Sequence, residues 1–173
     1  MRAAVEAIAE VGVGQVTHRR IAARAGVPLG STTYYFPTLE DLVSAALRKT
    51  TEAARAHLAD WADELQASDD LAATFVELAC RYLDNRDHAL LEYELYLAAT
   101  RSPELRSVAQ LWIDGLRGIC ARFTGDPGRG FALAALVDGA LLQALVTGDP
   151  LDADGLRAGV EGLVSRRTAA EPT

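Results

Sequence analysis

The stretch THRRIAARAGVPLGSTTYY, residues 17–35, contains two short helical segments separated by a glycine turn. Thr17 can cap the first segment, which extends to Ala25. Gly26 permits the left-handed conformation of a helix C-terminus, and Pro28 suits the first turn of a second helix. The stretch therefore predicts a helix-turn-helix, a motif whose second helix enters the major groove of DNA.

The segment before this stretch predicts a supporting helix. Residues 3–11, AAVEAIAEV, place apolar side chains at helical spacing, and Gly12 and Gly14 end the segment. The second helix of the motif, residues 28–35, has poor intrinsic propensity because it contains glycine and threonines. Its geometry is expected to come from packing against the two helices before it.

Further helices are predicted along the rest of the chain. Pro37 marks a boundary, after which Thr38 and Asp41 approximate a capping box. Glycine, proline and aspartate clusters separate the later apolar segments. The predicted helices cover residues 38–65, 69–85, 88–100, 102–124 and 130–147, with a ninth ending at about Arg167. The fold class is therefore all-α, with about nine helices.

Composition agrees with this class and limits the function. Half of the 173 residues are apolar and only 6% are aromatic, which favours helices over strands. No cleavable leader and no apolar run approaching the roughly 20 residues of a membrane span are found, so we expect a cytoplasmic protein with no membrane partner. Cys80 and Cys120 match no metal or redox spacing and are expected to be buried. No metal site and no cofactor are predicted.

The charge is unevenly distributed along the chain. The net charge is −7, yet residues 1–50 contain six basic and four acidic side chains. No acidic residue lies between Glu10 and Glu40, where Arg19, Arg20 and Arg24 are found. Because DNA binding depends on local neutralisation of phosphates, this segment is compatible with a nucleic-acid partner.

The sequence AAVEAIAEVGVGQVTHRRIAARAGVPLGSTTYYF, residues 3–36, resembles without a gap the N-terminal domain of tetracycline-repressor-like (TetR) regulators. The resemblance covers residues 3–47, and the later helices only in number, length and order. It implies a DNA-binding domain over residues 1–47 and an effector-binding and dimerisation domain over residues 48–173. The implied partners are a double-stranded DNA operator, a small-molecule effector and a second copy of the chain.

The resemblance also assigns the DNA-binding residues. Arg19 or Arg20 would lie near phosphates, and Leu29 would contact a base edge. The twelve implied DNA contacts are Thr17, His18, Arg19, Arg20, Pro28, Leu29, Gly30, Ser31, Thr32, Thr33, Tyr34 and Tyr35. Hydroxyl and methyl groups can read base edges, and Gly30 allows close approach. Thr33 replaces a tyrosine common in the family, and Thr38-Leu39 replaces a usual basic residue, so individual phosphate contacts differ here.

The resemblance places an effector cavity among the fourth to seventh helices. Its candidate lining residues are Trp61, Phe75, Leu78, Tyr82, Tyr93, Tyr96 and Trp112. An apolar or aromatic effector is favoured, since nearby charges such as Arg81 are expected on solvated faces. Aromatic residues at helical spacing also commonly form core, and that alternative stays open. His57 and His88 are isolated in sequence and are expected to be solvated or satisfied histidines.

The eighth helix is apolar almost all round, so it must be covered. The resemblance pairs the last two helices with those of a second copy in a four-helix bundle, with the interface residues Leu133, Leu136, Val137, Leu141, Leu145, Leu156, Val160 and Leu163. The alternative is that both helices belong to the core of one protomer.

Other function classes receive little support. The chain contains no HExxH, no Gly-rich phosphate loop and no Cys–His pair with motif value, so no catalytic residue and no enzyme activity are predicted. The alternative is a DNA-binding architectural or protein-interaction module without an effector. Repression, rather than activation, follows from the resemblance alone.

Overall fold

The structure is a computed structural model that describes residues 1–164. Within this range the chain forms nine α-helices, two short 3₁₀ turns and no strand, which confirms the all-α prediction. The helices are α1 (Arg2–Val11), α2 (His18–Ala25), α3 (Leu29–Tyr35), α4 (Leu39–Ala67), α5 (Leu71–Asp84), α6 (Arg86–Ala98), α7 (Arg106–Thr124), α8 (Pro127–Thr147) and α9 (Ala153–Val164). The predicted end of the ninth helix, Arg167, lies outside the described residues.

The helix ends are those that the cap residues predict. The Thr17 hydroxyl accepts a hydrogen bond from the backbone N–H of Arg20 at 3.1 Å. Gly26 ends α2 in the left-handed region, with φ 67° and ψ 28°. Before α4, the backbone N–H of Asp41 donates to the Thr38 hydroxyl at 3.1 Å, and the N–H of Thr38 donates to the Asp41 carboxylate at 3.3 Å. The predicted capping box is therefore confirmed.

A first compact unit comprises Met1–Ala56 and Leu90–Trp112. It contains the helix-turn-helix, and its core includes residues from α1, α2, α4, α6 and the start of α7. The main buried aliphatic side chains are Val5, Ile8, Val16, Ile21, Leu42, Val43, Leu95 and Leu105. The unit thus includes a segment beyond the predicted DNA-binding domain of residues 1–47, and that functional boundary stays a prediction.

The segment between α6 and α7 contacts the C-terminal end of α1. The Arg101 guanidinium donates to the carbonyl oxygen of Ala9 at 3.5 Å. Ser102 is buried, and its hydroxyl would lie only 2.7 Å from a Cβ added to Gly12. Gly12 also has φ +80°, so both conformation and space require glycine there. These contacts fix the C-terminal end of α1 against a segment from much later in the chain.

A second compact unit comprises His57–Ala89 and the described chain from Ile113 onward. Its core lies between α5, α8 and α9, where Phe75, Leu133 and Val160 have no exposed surface. Gly130 lies against α7, because a Cβ added there would approach the Cα atom of Ala121 to 2.6 Å. Close packing of this kind joins α7 to α8.

Polar contacts close the ends of the same unit. The Arg86 guanidinium donates to the carbonyl oxygen of Leu145 at 2.6 Å and so satisfies the end of α8. The Asp70 carboxylate caps α5 through the N–H of Ala73 and accepts a hydrogen bond from Arg157 of α9 at 2.8 Å. The Ala73 N–H and the Arg157 guanidinium hold the pKa of the Asp70 carboxyl below its ordinary value.

α8 begins three residues earlier than the predicted residue 130, and it is apolar over most of its length, as the sequence indicates. Among the described residues it is the one helix that could span a membrane by length and composition, although 39% of its apolar window is buried in the protein. A core helix passes the same test, so this is weak evidence for a membrane span. The buried side of α8 packs against α5 and α9.

The two cysteines lie in different surroundings. Cys120 is buried, and burial raises the pKa of its thiol to about 12, so the thiol stays protonated. Cys80 is exposed on α5, and the prediction that both cysteines are buried is wrong for this residue.

Candidate functional site

Two arginines of α2 carry uncompensated charge. Arg19 and Arg20 are exposed, and their side chains have no hydrogen-bond or ion-pair partner among residues 1–164. Arg24, in contrast, forms ion pairs with Glu6, at 3.6 Å, and with Glu10. The acid-free segment of the sequence therefore presents two available cations rather than three, because α1 brings carboxylates to Arg24.

The surface of α3 is unusually apolar for a solvated helix. Tyr34 and Tyr35 are 80% and 73% exposed, and their rings meet edge to face with centroids 5.2 Å apart. Leu29 is also exposed, and no residue of α3 is fully buried. A short helix that exposes two tyrosines and a leucine beside two free arginines has the chemistry of a surface that binds a charged polymer.

The hydroxyl groups of α3 are partly engaged within the helix. The Thr32 hydroxyl donates to the carbonyl oxygen of Leu29 at 2.8 Å, and the Thr33 hydroxyl donates to that of Gly30 at 3.2 Å. Each hydroxyl then offers acceptor lone pairs and a methyl group to a ligand. No atom lies within 4 Å of a Cβ added to Gly30, so this position leaves space for close approach.

The twelve predicted DNA-binding residues lie on α2, on α3 and in the turn between them, apart from Thr17, which caps the start of α2. Thr17, Arg19, Arg20, Pro28, Leu29, Gly30, Thr33, Tyr34 and Tyr35 are exposed, whereas His18, Ser31 and Thr32 are half-buried. Both ring nitrogens of His18 are enclosed and have no hydrogen-bond partner in the described chain. His18 therefore does not present a donor toward solvent in this conformation.

The seven predicted effector contacts do not share one compact unit. Trp61, Phe75, Leu78 and Tyr82 are buried in the second unit, and Tyr93, Tyr96 and Trp112 belong to the first. Trp61 and Tyr82 are in contact, with ring centroids 6.5 Å apart. Tyr93 and Tyr96 form a separate pair at 6.3 Å. The assignment of all seven to one effector cavity stays a prediction.

A groove between α4 and α5 opens beside Trp61. Its volume is about 310 Å³, and it is lined by His57, Asp60, Trp61, Asp63, Glu64 and Arg81. Five of these residues were not proposed from the sequence, although His57, Asp60, Trp61 and Glu64 share the i, i+3, i+4, i+7 spacing of one helix face. Arg81 is exposed, as expected of a charge on a solvated face, and its guanidinium pairs with Glu64 at 2.5 Å.

His57 is not isolated in the structure. Its ring lies 5.7 Å from that of Trp61 and 5.3 Å from that of Tyr82, measured between centroids. The three rings form an aromatic cluster. His57 and Trp61 of this cluster line the groove, and Trp61 is only 1% exposed. The expectation of a solvated or satisfied histidine at this position stays a prediction.

Most of the predicted dimer residues fill the core of the single chain. Leu133, Val137, Leu141, Leu145, Leu156 and Val160 are at most 4% exposed, and only Leu136 and Leu163 are half-buried. The first six are therefore protomer core, as the alternative interpretation held. The opposite face of α8 instead exposes Phe131, Leu142 and Val146 at intervals of 11 and 4 residues. That spacing forms one apolar stripe along the helix.

The described residues contain no group of three or more His, Cys, Asp or Glu side chains placed to hold a metal ion. Instead, a helix-turn-helix with an exposed, cationic surface is combined with a helical unit that has a groove. These features define a DNA-binding protein of the helix-turn-helix class.

Comparison with known proteins identifies the family. Residues 1–46 match the family described as bacterial regulatory proteins, tetR family, and residues 66–166 match the tetracyclin repressor-like C-terminal domain. The chain belongs to the TetR family of transcriptional regulators. The resemblance seen in residues 3–36 is therefore confirmed.

Relatives support the same assignment over nearly the whole chain. The HTH-type transcriptional regulator BetI of Escherichia coli O139:H28 (strain E24377A / ETEC) is 31% identical over 87% of this chain and 82% of its own length. A TetR-family member, SCO1917 from Streptomyces coelicolor A3, is 40% identical with a TM-score of 0.73, and 94% of each chain is covered. The multidrug binding protein EbrR complexed with proflavin is 40% identical with a TM-score of 0.67, covering 94% of this chain and 96% of its own.

Proposed function

We propose that the protein is a transcriptional repressor that binds a palindromic operator as a dimer and is released by a small aromatic effector. We propose no enzyme activity, and place the protein in the cytoplasm with its DNA. The observation that carries the proposal is the surface of α2 and α3, where Arg19 and Arg20 are unpaired and Tyr34 and Tyr35 are exposed.

In this proposal α2 and α3 have different roles in DNA binding. Arg19 and Arg20 contact phosphates and provide affinity for any sequence. Leu29, Ser31 and Thr32 contact base edges and provide discrimination. Thr32→Ala should therefore change base preference within the half-site, at roughly 1 to 3 kcal/mol per mismatched base pair, without a general loss of affinity. DNA selection with the wild-type and variant proteins measures this change.

The exposed stripe of α8 is our proposed dimer contact. Phe131, Leu142 and Val146 would leave a long apolar surface in water if the chain were monomeric. A two-fold axis would bring this stripe against its own copy and so cover it. Leu136 and Leu163 keep partial exposure and remain candidates for the edge of the same contact.

An effector response is supported by the groove and by a related protein. EbrR, of similar sequence and fold, has been crystallised with ethidium, proflavin and malachite green, which are all planar or near-planar aromatic cations. The groove of about 310 Å³ lies at the lower end of the roughly 300–1,000 Å³ of ligand pockets. The likeness to a relative crystallised with ligands favours a regulator over a DNA-binding module without an effector.

Several helices can transmit the response. A ligand beside Trp61 could act on the DNA-binding helices through α4, which continues from the first compact unit into the second. α6 and α7 do so as well, so α4 is not the sole continuous connection. The contacts of Arg101 and Ser102 with the end of α1 give the α6–α7 segment a direct influence on the DNA-binding helices.

The proposal is tested by measuring proflavin affinity for the free protein and for the operator complex. Coupling between two sites is typically about 1–3 kcal/mol, so proflavin should bind the free protein roughly 5- to 150-fold more tightly. Thermodynamic reciprocity then requires that proflavin lower operator affinity by the same factor. Equal affinities for both forms, at saturable binding, would exclude release by this effector class.

A further inference from the structure

We propose that Leu29 and Thr33 form a methyl surface on α3 that recognises the C5-methyl groups of thymine, so that the bases facing α3 are mainly A·T pairs. The proposal rests on the proposed function and deepens it, because it assigns the class of base that each half-site presents to α3. It adds Thr33 to the residues that discriminate between bases. Thr33 stands where the family commonly has a tyrosine, so this surface is a feature of this chain.

The two side chains share one face of α3. Leu29 and Thr33 are four residues apart, and side chains at that spacing are neighbours on a helix. Both residues are exposed, Leu29 by 43%. Gly30 lies next to them, and no atom lies within 4 Å of a Cβ added there. A base edge can therefore approach the helix closely at this patch of methyl groups.

The hydroxyl groups of the two threonines are turned back into their own helix. The Thr33 hydroxyl donates to the carbonyl oxygen of Gly30 at 3.2 Å and lies 3.4 Å from that of Leu29. Because a hydroxyl that bonds to these carbonyls restricts the χ1 angle, the direction of the methyl group is restricted as well. The Thr32 hydroxyl donates to the carbonyl oxygen of Leu29 at 2.8 Å. Both threonines thus offer a methyl group and acceptor lone pairs, but not a free hydroxyl hydrogen.

This chemistry matches an A·T pair better than a G·C pair. In the major groove thymine presents a methyl group, adenine presents an amino donor, and guanine presents two acceptors. α3 contains no Arg, Lys, Asn or Gln, so the half-buried Ser31 hydroxyl is the one short side-chain donor that this helix has left for guanine. A thymine methyl is instead buried against Leu29 and Thr33, and the adenine amino group donates to a threonine oxygen.

The test replaces thymines of the selected operator by deoxyuridine, which removes the C5-methyl group and keeps the base-pairing hydrogen bonds. Burial of one methyl group contributes about fourfold in affinity, so replacing one symmetric pair of contacted thymines should weaken wild-type binding roughly 15-fold. The variant Leu29→Ala/Thr33→Ser should bind the thymine operator more weakly and should distinguish little between thymine and deoxyuridine. Thr33→Val, which keeps a methyl group and has no hydroxyl, should retain the wild-type dependence on thymine.

Leu97→Ala is the matched control, because Leu97 is an exposed leucine of the same compact unit, on α6 and outside the helix-turn-helix. It should keep the full dependence on thymine, and circular dichroism should show the same helix content in every variant. Wild-type affinity for an operator with deoxyuridine in place of every thymine would overturn the inference. An equal loss with deoxyuridine in the double variant would also overturn it, since the loss would then come from DNA shape. In both cases the inverted repeat, and with it the proposed function, would stand, whereas enrichment of no sequence would refute both.

Discussion

Replacing Arg19 or Arg20 by alanine should weaken binding to every DNA sequence, whereas replacing Arg24 should not. The first two guanidinium groups are unpaired, and the third is already neutralised by Glu6 and Glu10. Each phosphate contact contributes about 0.9 to the slope of log K against log salt concentration. A dimer that loses one contact per protomer therefore loses about 1.8 from the slope, or roughly 60-fold in affinity at about 0.1 M salt.

The assay is fluorescence anisotropy with a labelled operator and with an unrelated duplex of the same length, each at several salt concentrations. Arg19→Ala and Arg20→Ala should lower affinity for both duplexes by a similar factor and make the salt dependence shallower. Arg24→Ala should keep the wild-type slope. An equal loss of slope in all three variants would refute the reasoning, since it would mean that the ion pairs of Arg24 do not withdraw it from DNA.

Three other outcomes follow from the packing, the exposed surface and the charges. Gly130→Ala should lower the free energy of unfolding by about 1–3 kcal/mol, because its Cβ would overlap the backbone of α7. Gly118→Ala has open space around it and should raise the free energy of unfolding by about 0.5–1 kcal/mol. Chemical denaturation measures both changes. Val146→Glu places a charge in the exposed stripe of α8 and should convert the dimer to a monomer, which analytical ultracentrifugation measures. A variant that stays dimeric would show that the stripe is not the interface. Asp70→Asn should lower the free energy of unfolding near neutral pH, and this difference from the wild type should shrink below pH 3.8. The reason is that the lowered pKa of Asp70 contributes stability that is lost as the carboxylate is protonated. A difference in the free energy of unfolding that does not depend on pH would contradict this.

The helix-turn-helix could be predicted because its signals are local. The cap at Thr17, the left-handed Gly26 and the capping box at Thr38 and Asp41 each depend on residues within one helical turn. Such short-range hydrogen bonds are determined by the identity of the residues themselves. The structure therefore reproduces these boundaries to within one or two residues.

The features that were missed depend on contacts distant in sequence. Arg24 is neutralised by Glu10 only because α1 and α2 pack together. The two sides of α8 are both apolar, so hydropathy alone could not show that Leu133 is core and Val146 is exposed. The groove required Arg81 of α5 to approach α4, and no pattern within either helix fixes that approach.

The central claim is that a dimer recognises an inverted repeat through α2 and α3. The most direct test selects bound sequences from random duplex DNA and then footprints the protein on the enriched sequence. We predict two half-sites related by two-fold symmetry, with centres about one helical turn, roughly 34–36 Å, apart. Protection of both half-sites should appear at the same protein concentration. Enrichment of a single unrepeated half-site, or of no sequence at all, would contradict the account.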